Sequence, residues 1–170
     1  MSVPPRRRRS SPRTGVEIGQ DRLLLRVFTL ADHAAVSPDG KLYMNGGSVA
    51  QMAVQNLPGP LGPLWLAIAI RVPWQMTSEP LTMRLRVLDA DRNPIGQDPA
   101  VSVDFEVGRP PGVRAGDEIS VPFAVALGGF QVPGEMSVYF HLSVADQLLG
   151  VLPLKVTQAQ AAPGVPAPPH

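Results

Sequence analysis

Met136-Ser137-Val138-Tyr139-Phe140-His141-Leu142-Ser143-Val144 decides how the chain is read. Met136, Val138, Phe140, Leu142 and Val144 alternate with Ser137, Tyr139, His141 and Ser143. Successive residues of a β-strand point to opposite faces of a sheet, so this period of two buries one face and wets the other. The same alternation recurs in Val101–Val107, where Val101, Val103, Phe105 and Val107 are separated by Ser102, Asp104 and Glu106. It recurs again in Leu81–Val87, where Leu81, Met83, Leu85 and Val87 are separated by Thr82, Arg84 and Arg86. No window shows a comparable helical period. Proline breaks helix interiors at a cost of about 3 kcal/mol, and 20 prolines in 170 residues leave no room for long helices. One short helical turn is expected, at Ala31-Asp32-His33-Ala34-Ala35.

Turn-forming residues separate the alternating runs. Asn93-Pro94 and Gly96 break the chain after Val87, Gly108–Gly116 is a loop of three glycines and two prolines, and Ala145-Asp146 closes a hairpin. Further strands are predicted at Leu23–Ala31, Lys41–Asn45, Ser48–Gln55, Pro63–Val72, Ile119–Leu127 and Leu148–Val156. Eight to nine short strands at this spacing predict an all-β fold, an antiparallel β-sandwich of immunoglobulin-like type. Leu64–Val72 is apolar on both faces and is expected to be a central strand covered on both sides. Pro122 and Pro153 each remove a ladder donor, which places them at sheet edges or bulges.

The two ends differ from this body. Residues 1–20 form an Arg/Pro-rich basic arm with Arg6, Arg7, Arg8, Arg9 and Arg13, and residues 158–170 an Ala/Pro-rich tail. Neither carries enough apolar surface to offset its ordering entropy, so both are expected to be flexible around a sandwich domain at 21–157. The whole chain has a formal charge of +1, but five of its fifteen basic residues lie in the arm. The body therefore holds ten basic against fourteen acidic residues, which argues against a nucleic-acid-binding body. Contact with nucleic acid or an acidic surface is expected only through the arm. No apolar run follows the arginines as a secretory signal requires, and no run approaches the ~20 residues of a membrane span. A cytoplasmic location is the expectation.

Few constellations carry chemistry. With no cysteine, disulfides, thiolate metal sites and a cysteine nucleophile are excluded. Asp32 and His33 near Ser37, and His141 beside Tyr139 and Ser143, are the only candidates for acid–base or nucleophilic work. Capping by Asp32 and a solvated strand face at Tyr139 and His141 are the simpler accounts. Three histidines with no ligand spacing imply no metal, and no phosphate-cradling glycine motif implies no nucleotide cofactor. Arg84 and Arg86 are expected to pair with Asp104 and Glu106 across a hairpin, each pair worth roughly 0.2–1 kcal/mol. Trp74, at the end of a strand, and Arg109 and Arg114, in the Gly/Pro loop, are the candidate partner-binding residues. Tyr139 and His141 mark the candidate ligand face.

Several phrases form a set: Ala31-Asp32-His33-Ala34, then DGKLY at Asp39–Tyr43 and NGG at Asn45–Gly47. RVPW at Arg71–Trp74, FEVGRPPG at Phe105–Gly112 and PGEMSVYFHLSV at Pro133–Val144 complete it. Together, over about Leu25 to Val156, they resemble an uncharacterised bacterial family of small all-β domains of unknown function. The resemblance implies a sandwich fold and carries over no catalytic residue or cofactor. The last phrase is also similar to the closing strands of many immunoglobulin-like domains, a likeness of fold that does not fix function. A non-enzymatic structural or protein-interaction module is the expected function, binding an unknown protein partner or itself. The rivals are a small-molecule or carbohydrate-binding sandwich and an accessory subunit of a phage-like or other multimeric particle.

Overall fold

A computed structural model of the chain describes residues 22–98 and 100–159. The basic arm with Arg6, Arg7, Arg8, Arg9 and Arg13 lies outside the described residues, as does the tail beyond Ala159.

Eleven strands follow one another: β1 (Leu24–Val36), β2 (Leu42–Gly47), β3 (Gln51–Val54), β4 (Gly59–Pro60), β5 (Trp65–Val72) and β6 (Pro80–Leu88) come first. After them run β7 (Val101–Glu106), β8 (Ile119–Ala126), β9 (Gln131–Val132), β10 (Met136–Val144) and β11 (Gln147–Gln158). They form a sheet in the order β2-β1-β5-β8, a second in the order β3-β11-β10-β6-β7, and the small pair β4-β9. Pairing is antiparallel throughout except for β3, which runs parallel to β11 from Gln51↔Lys155 to Val54↔Gln158. All nine predicted strands are present. The two additional ones, β4 and β9, are two residues each and too short to show a period.

The alternating runs sort as their chemistry demands. On β10, Val138, Phe140, Leu142 and Val144 are buried and join Met83, Leu85 and Val87 of β6 in one hydrophobic cluster. Leu66, Ile68 and Ile70 of β5 enter the same cluster from the other large sheet. Phe140 lies opposite Val87 on one side and Leu152 on the other. β5 is central, between β1 and β8, and its second face is covered as well: Ala67 is fully buried and Ala69 nearly so. β1 and β8, on either side of β5, approach each other, so this sheet curls.

Pro122 lies on β8, an edge of its sheet. Pro153 lies on a stretch of β11 that β3 does not reach, because β3 pairs only with Lys155–Gln158. Both prolines thus stand where a missing donor costs no ladder bond.

Two expectations are corrected. Ala31–Ala35 is not a helical turn, and Asp32 caps nothing there: β1 continues to Val36 and pairs with β2 through Ala34↔Met44 and Val36↔Leu42. A hydrogen-bonded partner strand outweighs the local preference of three alanines. The arginine pairs also differ. The β6–β7 register sets Thr82 against Asp104 and Arg84 against Ser102. The Thr82 hydroxyl donates to Asp104 at 2.7 Å, Arg86 grips Asp98 through Nε and Nη2 at 2.7 Å each, and Arg84 pairs with Asp146 in the β10–β11 turn.

Arg71 is the buried charge of β5, 3% exposed at the end of the alanine face. Its Nη1 donates to Glu118 Oε1 at 2.6 Å and its Nη2 to the Arg22 carbonyl at 3.2 Å. Arg26 on β1 pairs with the other oxygen of Glu118. Glu118 therefore ties the residues before β8 to both β5 and β1. Arg71, and then Arg26, hold its carboxyl below the usual 4.5. A lowered carboxyl contributes stability that is whole above its ordinary value and is lost as pH falls through the lowered one. Glu118→Gln should accordingly flatten the acid limb of a stability–pH curve measured by urea unfolding. Phe140→Ala should cost about 3–5 kcal/mol in the same assay, with the fold retained by circular dichroism.

Candidate functional site

Pro73 ends β5 and hands the chain to a single 3-10 turn at Trp74–Met76. The Met76 N–H donates to the Pro73 carbonyl at 3.0 Å and the Thr77 N–H to the Trp74 carbonyl at 3.2 Å. Thr77, 1% exposed, is the anchor of this end. Its hydroxyl donates to the Trp74 carbonyl at 2.6 Å and accepts the Nε–H of Arg109 at 2.7 Å. The Ser78 N–H donates to the Val107 carbonyl at 2.8 Å, which brings the Gly/Pro loop against the turn.

The Arg109 guanidinium carbon then lies 4.6 Å from the centroid of the half-buried Trp74 ring. That is within cation–π range, and the hydroxyl on Nε fixes the rotation of the plane. Two of the three predicted partner-binding residues are thus brought together, from segments more than thirty residues apart. Arg114 does not join them through any of its described contacts. Its N–H donates to Asp117 Oδ2 at 2.6 Å and its carbonyl accepts from the Asp117 N–H at 3.0 Å, a turn of its own. Thr77 is the residue that sequence reasoning missed. Its only signal is a hydroxyl three positions after an aromatic residue, a spacing that bonds back to the main chain.

Tyr139 and His141 share the outward face of β10. Tyr139 lies opposite Leu88 and Pro153, and His141 opposite Arg86 and Val151. Partial burial pushes the His141 ring below its usual 6.5, and the charges of Arg86 and Arg92 push the same way. Arg92 was not singled out by sequence; a positive φ of 66° at the β6–β7 connection places it there. His33 packs its ring on Trp65, centroids 5.1 Å apart and tilted by 57°. Its ring neighbour is an aromatic side chain, whereas Ser37 is engaged with Asp39 and Lys41.

Among the described residues no three His, Asp or Glu side chains gather to hold a metal, and no helix is long and apolar enough to cross a membrane. A shallow depression of about 210 Å³ near β3 and β4 is lined by Ala53, Val54, Gln55, Asn56, Pro60 and Gly62. It contains no ionisable group.

The arrangement suited to recognition is the Trp74–Thr77–Arg109 end. A guanidinium has five donors in a flat fork. With Nε held by Thr77, the terminal nitrogens remain to meet a carboxylate with two parallel bonds. Thr77→Val should release this group: the Arg109 Nε–H signal in nitrogen-edited NMR exchanges faster with water, and stability falls by about 1 kcal/mol. An NMR titration should place His141 below 6.5, with Arg92→Ala raising it toward that value.

The model of a family of unknown function, DUF6941, matches residues 26–157. A search of curated proteins finds no match.

Proposed function

The chain belongs to DUF6941, and on that footing we propose that it is a non-enzymatic protein-interaction module built on an immunoglobulin-like β-sandwich. The strand order supports the fold. In an immunoglobulin domain one sheet runs A-B-E-D and the other C-F-G. Here β1-β5-β8 stand in the places of A, B and E, and β6-β10-β11 in those of C, F and G. β7 extends the second sheet beyond β6, as an added strand does in variable domains.

The observation that carries the function is Arg109 stacked over Trp74 and pinned through Nε by the buried Thr77 hydroxyl. Tryptophan and arginine are the residue types that most often dominate protein interfaces. Holding them still before contact removes part of the ordering cost of binding. The partner chemistry that fits is an acidic side chain or a terminal carboxylate.

The Tyr139/His141 face is the weaker candidate for a ligand. Two of its neighbouring cations are engaged within the molecule, Arg86 with Asp98 and Arg84 with Asp146. A catalytic role finds no support in the histidines either, since one stacks on Trp65 and the other faces arginines.

Affinity capture with the full chain tests this function. The expected result is a partner bound by the wild type and by Arg114→Glu, and lost by roughly tenfold or more with Arg109→Glu or Trp74→Ala. A partner held equally by Arg109→Glu removes this end of the molecule from the interaction. Capture of nothing by the wild type overturns the module itself.

A further inference from the structure

A different surface, the hairpin of β1 and β2, points to self-association. Pairing of β1 with β5 stops at Ala31↔Trp65, whereas pairing of β1 with β2 continues to Val36↔Leu42. The last five residues of β1 and the first four of β2 thus form a two-stranded ribbon past the end of β5. Three of the five exposed large apolar residues of the described chain lie on it: Val36, Tyr43 and Met44, at 39%, 56% and 46% exposure. Tyr43 shares one face with His33, and Met44 shares the other with Ala34, Val36 and Leu42.

A two-stranded ribbon alone is marginally stable in water, and a third strand is what such a ribbon lacks. Its tip is nonetheless hydrogen-bonded. The Ser37 N–H donates to the Lys41 carbonyl at 2.9 Å, the Lys41 N–H donates to the Ser37 hydroxyl at 3.1 Å, and Lys41 pairs with Asp39 at 2.6 Å. The outer side of β2 is also the least defended edge of the fold. Proteins guard edges with charge, proline or short length. The other three edge strands of the two large sheets have such a device: Pro122 on β8, Asp104 and Glu106 on β7, and a length of only four residues for β3. Leu42–Gly47 has neither charge nor proline.

We propose that β2 pairs antiparallel with β2 of a second copy of this chain. A two-fold axis through such a pair brings identical residues together. Because the strand is uncharged, no like charges meet. Leu42 and Met44 of both copies then lie side by side on one face, with the two Tyr43 rings on the other. The result is a four-stranded ribbon joining two molecules, independent of the Trp74–Arg109 end.

The chain has no cysteine, so single-cysteine variants read this contact directly. Residues opposite each other in paired strands are close enough for a disulfide. On mild oxidation, Tyr43→Cys or Met44→Cys should give a covalent dimer, whichever is nearer the axis, and Ser102→Cys on the β7 edge should not. Sedimentation of the wild-type chain should show a dimer, and Met44→Lys, at a position nearly half exposed, should leave a folded monomer. A wild-type monomer at every concentration overturns the proposal, as it would if β2 were reserved for a foreign strand. So does a dimer that Met44→Lys leaves intact, or cross-linking as strong at Ser102→Cys as at both β2 positions.

Discussion

β5 has to be buried on two sides at once, and the rest of the molecule is arranged around that demand. Leu66, Ile68 and Ile70 fill the cluster shared by the two large sheets, while Ala67 and Ala69 lie on the opposite face. The second face is buried as well, and the sheet curls so that β1 and β8 approach each other. At the far end Arg71 takes over from alanine, and the ion pairs it and Arg26 make with Glu118 close the face with charge. A buried arginine is tolerated there because its two terminal nitrogens meet a carboxylate and a main-chain carbonyl.

The same strand delivers the chain to the Trp74–Thr77–Arg109 end. Pro73 stops it, Trp74 begins a tight turn, and Thr77 is buried by being packed under that turn. Arg109 reaches Thr77 from the loop after β7, the edge strand of the other sheet. The contact continues the pairing of β6 with β7 beyond Pro80↔Glu106, through the Ser78 N–H on the Val107 carbonyl.

Much of the fold was legible in the sequence because a period of two is a one-dimensional image of an in–out partition. Met136–Val144 and Leu81–Val87 needed no tertiary information, since each apolar residue in them has one obvious side. The ribbon at Ala31–Val36 was misread because alanine and histidine say little about strand or helix, and only the partner β2 decides. The arginine pairs were misassigned for a related reason: alternation fixes the face of a side chain but not the register of its neighbour. A slip of two residues preserves the face and changes every partner. Trp74 and Arg109 were picked out singly by residue type and loop position, yet their stacking rests on Thr77. A threonine inside an interior turn leaves no periodic trace.

The stacking of Arg109 also bears on time rather than on affinity alone. A free surface arginine samples many rotamers, and a partner has to wait for one of the few that fit. A guanidinium clamped between an indole and a hydroxyl presents one orientation to every encounter. If this end binds as proposed, the buried hydroxyl of Thr77, which no partner would touch, sets the share of collisions there that are productive.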